Sequence, residues 1–341
     1  MKIYYSDKHK GHAFGLPDSR PADYDSNYEH PGRVDSILKA LKSTSWAEIL
    51  PPDDFGLEPI LQVHTARYLD YLKDAYKQWM KFSVEKDMAF IPYKPGFKPT
   101  STRFDKVPDQ DGFFMTDMYV PVNEHTYPAA IAAANCALSA SRIIATQKGV
   151  AFALCRPPGH HAGVEICGGF CYLNNAAIAA QWLSSHGKVA ILDIDYHTGN
   201  GTQSIFYERA DVLTISLHAD PVWEYPSFAG FAHETGSGAG KGFHHNFPLP
   251  HQTDDSLYLK TLDKALQLII TYSPNFLVVS AGFDTFKGDP LGDFTLSRNG
   301  FPRIGGAIST LQIPTVIMLE GGYKTDELGD NVVAFLGSFN S

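Results

Sequence analysis

From residue 128 onward, short and almost continuously apolar runs alternate with helical patterns. A strand that is apolar at every position must be covered on both faces, which is the condition of a parallel strand inside an α/β fold. The strand candidates are Val150–Cys155, Val189–Asp195, Val212–His218, Asn275–Asp284 and Pro314–Glu320. Between them lie helical stretches at Ala129–Thr146, Asn174–Ser185, Asp255–Thr271 and Leu296–Thr310, the first of them alanine-rich with Pro128 in its opening turn. This rhythm predicts an α/β fold with a doubly wound, mostly parallel sheet and helices on both faces. No repeat, heptad or low-complexity linker interrupts it, so residues 1–341 are expected to form a single domain.

The first 127 residues are patterned differently. Met1–Tyr5 reads as a strand, Arg33–Leu41 as a helix and Ala66–Phe82 as a longer amphipathic helix. Lys8–His30 and Val84–Val122 lack periodicity. Residues 84–122 are expected to form a long insertion loop that packs through Phe90, Tyr93, Phe97, Phe104, Phe113, Phe114 and Tyr119.

Charge narrows the partners. Lys and Arg total 28 against 37 Asp and Glu, a net charge of −9. Such a surface disfavours nucleic acid and draws in a small cation. No run of about 18 apolar residues is evident, and the amino end reads as a strand and not a signal peptide, so no membrane partner is expected. Four cysteines in 341 residues are expected to be free thiols in a reducing cytoplasm.

Ligands of open parallel sheets bind beyond the carboxyl ends of the strands. Five strand candidates here run into polar groups: Arg156 to His161, Asp193 to Gly201, Ser216 to His218, Asp284, and Glu320 to Tyr323. Asp195 and His197 are two apart, so extended backbone sends both side chains to one side, and Asp284 supplies a third group from another strand. One imidazole, two carboxylates and an open position suit a hydrolytic Zn²⁺, with Fe²⁺ as the alternative. Such an ion acidifies water and polarises a carbonyl. Any one of these aspartates is as often a helix cap; the trio is not.

His160 and His161 follow a Pro-Pro-Gly bend that can hold adjacent imidazoles against one centre. Asp193 is placed to orient one and Asn200 the other. A carboxylate partner raises an imidazole pKa and a neutral amide does not, giving one ring suited to remain protonated and one suited to accept a proton. Tyr323, after two glycines, is placed to donate to an oxyanion.

These residues resemble the metal-dependent deacetylases of the arginase–deacetylase superfamily, above all its bacterial acetylpolyamine amidohydrolases. The similar segments are Leu154–Gly163, Gly168–Ala177, Asp193–Gly201, Gly282–Pro290 and Leu319–Tyr323, with His30–Arg33 and His64–Leu69 in support. The resemblance implies Zn²⁺ on Asp195, His197 and Asp284, and His161 as general base. It implies His160 paired with Asp193, Tyr323 on the scissile carbonyl, and Phe170 and Tyr225 as aromatic walls. It also implies a structural K⁺ on the backbone of Asp193, Asp195, His197, Ser216 and Leu217. Thr198 and Asn200 replace the His and Asp common in histone-directed members. Gly199 and Phe286 stand where the binuclear ureohydrolase branch needs carboxylates, which disfavours that activity.

The reaction so implied is hydrolysis of an N-acetylated polyamine or diamine to acetate and free amine. Among Asp105, Asp109, Asp111 and Asp117, Asp117 is the expected partner of the distal amine. A homodimer with the insertion near the entrance follows from the same resemblance. A protein acetyl-lysine deacetylase is the runner-up; a silent binding module would be expected to lack one of these groups. Cys167, Cys171 and His218 read as buried packing, His244-His245 as part of a loop without chemistry, and Glu320 as support for the Tyr323 turn.

Overall fold

The eight strands of the sheet all run parallel, in the order β2-β1-β3-β8-β7-β4-β5-β6. They are β1 (Lys2–Tyr4), β2 (Glu48–Leu50), β3 (Val150–Ala153), β4 (Val189–Asp193), β5 (Val212–Ala219), β6 (His244–Leu249), β7 (Phe276–Ala281) and β8 (Thr315–Leu319). The computed structural model describes residues 1–14, 28–81 and 113–340.

Alternation along the inner strands divides the apolar residues between two cores. Val189 and Ile191 of β4, Val278 of β7, and Val316 and Met318 of β8 pack with the helices Ala66–Trp79, Thr126–Gln147 and Asn175–Ser184. Ala190 and Leu192, Leu277 and Val279, and Ile317 and Leu319 face the other way. They meet the helices Gly32–Lys42, Asp255–Tyr272, Gly300–Ser309 and Thr325–Gly337. Strands apolar at every position thus feed two layers of helix, as the sequence predicts.

Several expectations need correction. His244-His245 opens β6, in register with Thr214 and Ile215 of β5, instead of lying in a loop. The strand β2 and the helices Asn200–Phe206 and Thr325–Gly337 carry too few residues or too mixed a pattern to be singled out from sequence. The expectation that no stretch reaches span length also fails. The helix Thr126–Gln147 is long and apolar enough, with a mean hydropathy of 1.3 over its window and 72% of that window buried inside the protein. Its alanines let it lie close against β3 and the helix Asn175–Ser184.

Of the expected insertion, residues 84–112 lie outside the described residues, and with them Phe90, Tyr93, Phe97, Phe104, Asp105, Asp109 and Asp111. Residues 113–122 are packed. Phe114 stacks on Tyr71 with ring centroids 4.5 Å apart, and Val120 and Val122 are fully buried.

Candidate active site

The carboxyl ends of β3, β8, β7, β4 and β5 are neighbours, so the polar groups that follow them share one rim. Asp195 and His197 follow β4, and Asp284 follows β7, its direct neighbour. One ligand atom from each of the three lies within 4.8 Å of the other two. His197 Nδ1 is 3.4 Å from Asp195 Oδ1 and 3.3 Å from Asp284 Oδ2.

Backbone N–H groups fix the remaining oxygens. Asp195 Oδ1 accepts from His197 N at 2.8 Å, Asp195 Oδ2 from Gly321 N at 2.8 Å, and Asp284 Oδ1 from Tyr196 N at 3.0 Å. Asp284 Oδ2 receives no hydrogen bond although it is fully buried. A buried carboxylate oxygen without a donor is expensive unless something else meets its charge. The carboxylates hold His197 up at about 10 although burial opposes it, while burial and the nearby Asp195 push Asp284 up to about 7. A divalent cation among these atoms would meet the charge that the His197 proton meets in its absence, so the residues fit a metal with nitrogen and oxygen ligands. A side chain at Gly321 would run into the Asp284 and Asp195 carboxylates.

A second group, His160, Cys171 and Glu320, is equally close-set. Its donors are committed elsewhere. Glu320 Oε2 accepts from Gly159 N at 2.7 Å and His160 N at 3.1 Å, and Oε1 accepts from Ser280 Oγ at 3.1 Å. Burial drives the Cys171 thiol far above its ordinary pKa, which keeps it protonated. The Glu320 side chain therefore supports the Pro-Pro-Gly-His-His bend and not the Tyr323 turn. That turn hangs on Asp289, which accepts from Tyr323 N at 2.7 Å and Lys324 N at 2.9 Å, and on Arg33, whose Nε donates to Gly322 O at 2.7 Å. Neither residue stood out in the sequence as part of the site.

The two adjacent imidazoles have opposite electrostatics. His160 Nδ1 donates to Asp193 Oδ2 at 2.9 Å, and His161 Nδ1 donates to Asn200 Oδ1 at 2.7 Å. Burial opposes charge on both. For His160 the carboxylates of Asp195 and Asp193 prevail and hold it well above its ordinary pKa. For His161, burial followed by the neighbouring His160 and His197 holds it well below. With Nδ1–H engaged by an amide oxygen, the lone pair of His161 is on Nε2.

Aromatic rings form the approach. A cavity of about 490 Å³ is lined by His161, Phe170, His197, Tyr225 and Tyr323, with Tyr119 added by the structure. Tyr119 sits edge-on to Phe170 at 6.1 Å and to Tyr225 at 6.5 Å. Phe170 adopts φ +66°, a left-handed conformation that a bulky residue holds only under constraint. The constraint is local: Phe170 N donates to Tyr119 O at 3.1 Å, and Gly169 before it lies so close to His161 that no side chain fits.

Asp117 is placed differently from expectation. It does not line the cavity. Its Oδ2 accepts from Tyr225 Oη at 2.6 Å, Thr116 Oγ1 at 2.8 Å and Gly169 N at 3.1 Å, and its Oδ1 from Tyr119 N at 2.8 Å. It braces the aromatic wall from behind. His218 is held between Ser216 Oγ at 2.7 Å and Gly230 O at 2.9 Å, as packing would have it. Ser216 lies opposite Asp193 in the β4–β5 register, Leu217 is fully buried beside it, and all four cysteines are free and buried.

Behind Tyr323 lies a second buried charge group. The Arg33 guanidinium carbon sits 4.8 Å from the Tyr323 ring centroid, and Arg33 donates to Glu29 Oε1 at 3.0 Å and to Glu320 O at 2.6 Å. Arg156 donates to His9 O and His12 O, both at 2.7 Å. Its Nε lies 2.9 Å from Glu29 Oε1 but out of line for a hydrogen bond, so that contact is Coulombic.

Comparison with known proteins fits this geometry. The histone deacetylase domain model matches residues 27–339. Acetylpolyamine amidohydrolase 1 of Pseudomonas aeruginosa is 42% identical over 99% of both chains. The acetylpolyamine amidohydrolase of Mycoplana ramosa is 38% identical over 98% of both. The crystal structure of acetylpolyamine aminohydrolase from Burkholderia pseudomallei superposes with a TM-score of 0.93 at 37% identity, covering 100% of this chain and 99% of that one. On the domain match and these identities together, the chain belongs to the histone deacetylase family of amidohydrolases.

Proposed function

We propose that this protein hydrolyses the acetyl amide of small N-acetylated polyamines and diamines, giving acetate and the free amine, with Zn²⁺ on Asp195, His197 and Asp284. The observation that carries the reading is the convergence, at one aromatic-walled cavity, of the proton-accepting His161 imidazole, the Tyr323 phenol and His197, whose Nδ1 lies 3.3 Å from the buried Asp284 Oδ2. The relatives named for acetylpolyamine hydrolysis, matched over nearly the whole chain, support the substrate class.

The divalent cation supplies Lewis acidity to the acetyl carbonyl and to the attacking water. The protein's own groups do the rest. His161 Nε2 takes the water proton, because Asn200 holds Nδ1–H and burial keeps the ring neutral. His160, kept cationic by Asp193 and Asp195, stabilises negative charge developing nearby. The Tyr323 hydroxyl donates to the oxyanion as the carbonyl becomes tetrahedral. Its pKa is raised by burial, so it remains a donor throughout. The proton on His161 is then delivered to the departing amine. Phe170 and Tyr225 flank the aliphatic chain and exclude water. A K⁺ on the carbonyls of Asp193, Asp195, His197, Ser216 and Leu217 would be structural, and a cytoplasmic homodimer completes the reading.

The test is acetate release, reported as kcat/KM, across acetylputrescine, acetylcadaverine, acetylspermidine and an acetyl-lysine peptide, with the metal content measured on the same sample. Turnover of the small amines at about tenfold or more above the peptide is expected. The reverse order would assign the protein to peptide substrates.

A further inference from the structure

The cavity has two carboxylates in its wall that amide hydrolysis does not require. Glu224 and Asp293 line it together with His197 and Tyr323, and no Lys or Arg does so among the described residues. Asp293 is fixed in place. Tyr196 Oη donates to its Oδ1 at 2.9 Å, and His251 Nδ1 donates to its other oxygen. The Tyr196 ring lies 5.0 Å from that of His197, so one tyrosine separates Asp293 from a metal-binding imidazole.

Glu224 shares the wall of that cavity with Asp293. Unlike Asp293, the half-buried Glu224 carboxylate has no hydrogen bond or ion pair within the protein among the described residues. Meanwhile Asp117 turns its oxygens to Tyr225, Thr116, Tyr119 and Gly169, outside the cavity. Extended N-acetylputrescine carries its free nitrogen six bonds from the carbonyl carbon, about 7 Å away by the reach of a polypeptide with the same number of bonds. Pro290 and Leu291 line the same cavity and offer apolar surface to a methylene chain of that length.

We propose that Glu224 is the specificity-determining residue of this enzyme, receiving the distal ammonium of the substrate, with Asp293 as a fixed second acceptor. The assignment rests on the polyamine reading above and names which carboxylates implement it. It also reassigns Asp117 from substrate contact to bracing the wall through the Tyr225 hydroxyl.

The experiment measures kcat/KM for acetylputrescine and for N-butylacetamide, which has the same chain without the amine, in the parent enzyme, Glu224→Gln and Glu224→Lys. The parent is expected to prefer the cation, and the preference should weaken as salt is raised. Glu224→Gln should cut the ratio of the two constants about tenfold, chiefly through KM for the cation, and Glu224→Lys should cut it further. A parent without preference for the cation would overturn the polyamine reading and this assignment together. A parent with the preference, retained in both variants, would overturn the assignment alone. An equal loss on both substrates would do the same, since it would mean that Glu224 only supports the wall.

Discussion

The Asp195–His197–Asp284 group and the Glu29–Arg33–Arg156 group both bury several charges. In the second, the arginines spend their N–H groups on backbone carbonyls of His9, His12, Glu320 and Gly322 and on Glu29. Although burial opposes it, the Glu29 carboxyl is held below its ordinary pKa by Arg156 and Arg33. In the first, two carboxylates share one imidazole, and Asp284 Oδ2 accepts no hydrogen bond, with only His197 Nδ1 near it at 3.3 Å. A charge group closed within the protein is scaffold; one left open is a place for a ligand. Arg33 links them mechanically, because it grips the turn that presents Tyr323 to the open side.

That contrast can be broken from either side. The largest effect is expected at the open group. Asp284→Asn should lower acetate release about a thousandfold, the several kcal/mol a catalytic cation contributes, and should lower bound metal with it. Stripped of metal, the same variant should melt no lower than the stripped parent, because burial and Asp195 already oppose charge on Asp284. A much lower melting temperature for the stripped variant would mean that the group is closed after all.

At the closed group the outcome should be reversed. Glu29→Gln removes the one carboxylate that two buried guanidinium groups share and should cost about 3–5 kcal/mol of unfolding free energy in a urea titration. A loss below about 1 kcal/mol would show that the backbone carbonyls alone suffice.

The smallest effect should come from pH. Burial, followed by the charge of Arg156, holds His12 down at about 3 and His9 at about 4. The unfolded chain takes up these protons near pH 6.5 while the folded chain does not, so stability should fall as pH drops from about 6.5 toward 4. Each group contributes at most about 1.4 kcal/mol per pH unit over that window. Urea titrations at pH 7 and pH 5 on the parent and on His12→Gln should show a shallower dependence in the variant; identical slopes would remove His12 from this account.

Much of the site was legible because its signals are local. The spacing of Asp195 and His197, the doubled histidine after Pro-Pro-Gly, and the polar ends of apolar strands each occupy a few consecutive residues. What sequence missed depends on contacts between distant segments. Arg33 meets Gly322 and Asp289 meets Tyr323 across large separations, and nothing within either residue's own segment announces the partner. Asp117 poses the same difficulty: an acidic loop residue beside aromatics fits a substrate contact, and only the fold brings the Tyr225 hydroxyl to it. β6 was hidden because an edge strand covered incompletely need not be apolar throughout.

The left-handed backbone at Phe170 has an engineering consequence. The direction of that side chain is dictated by main-chain geometry and by the bare Gly169 against His161, not by what lies beyond its β-carbon. Trimming Phe170 to a smaller side chain should therefore widen the bore without re-aiming it, so the girth of the amines admitted can be tuned while the line of attack on the amide is kept.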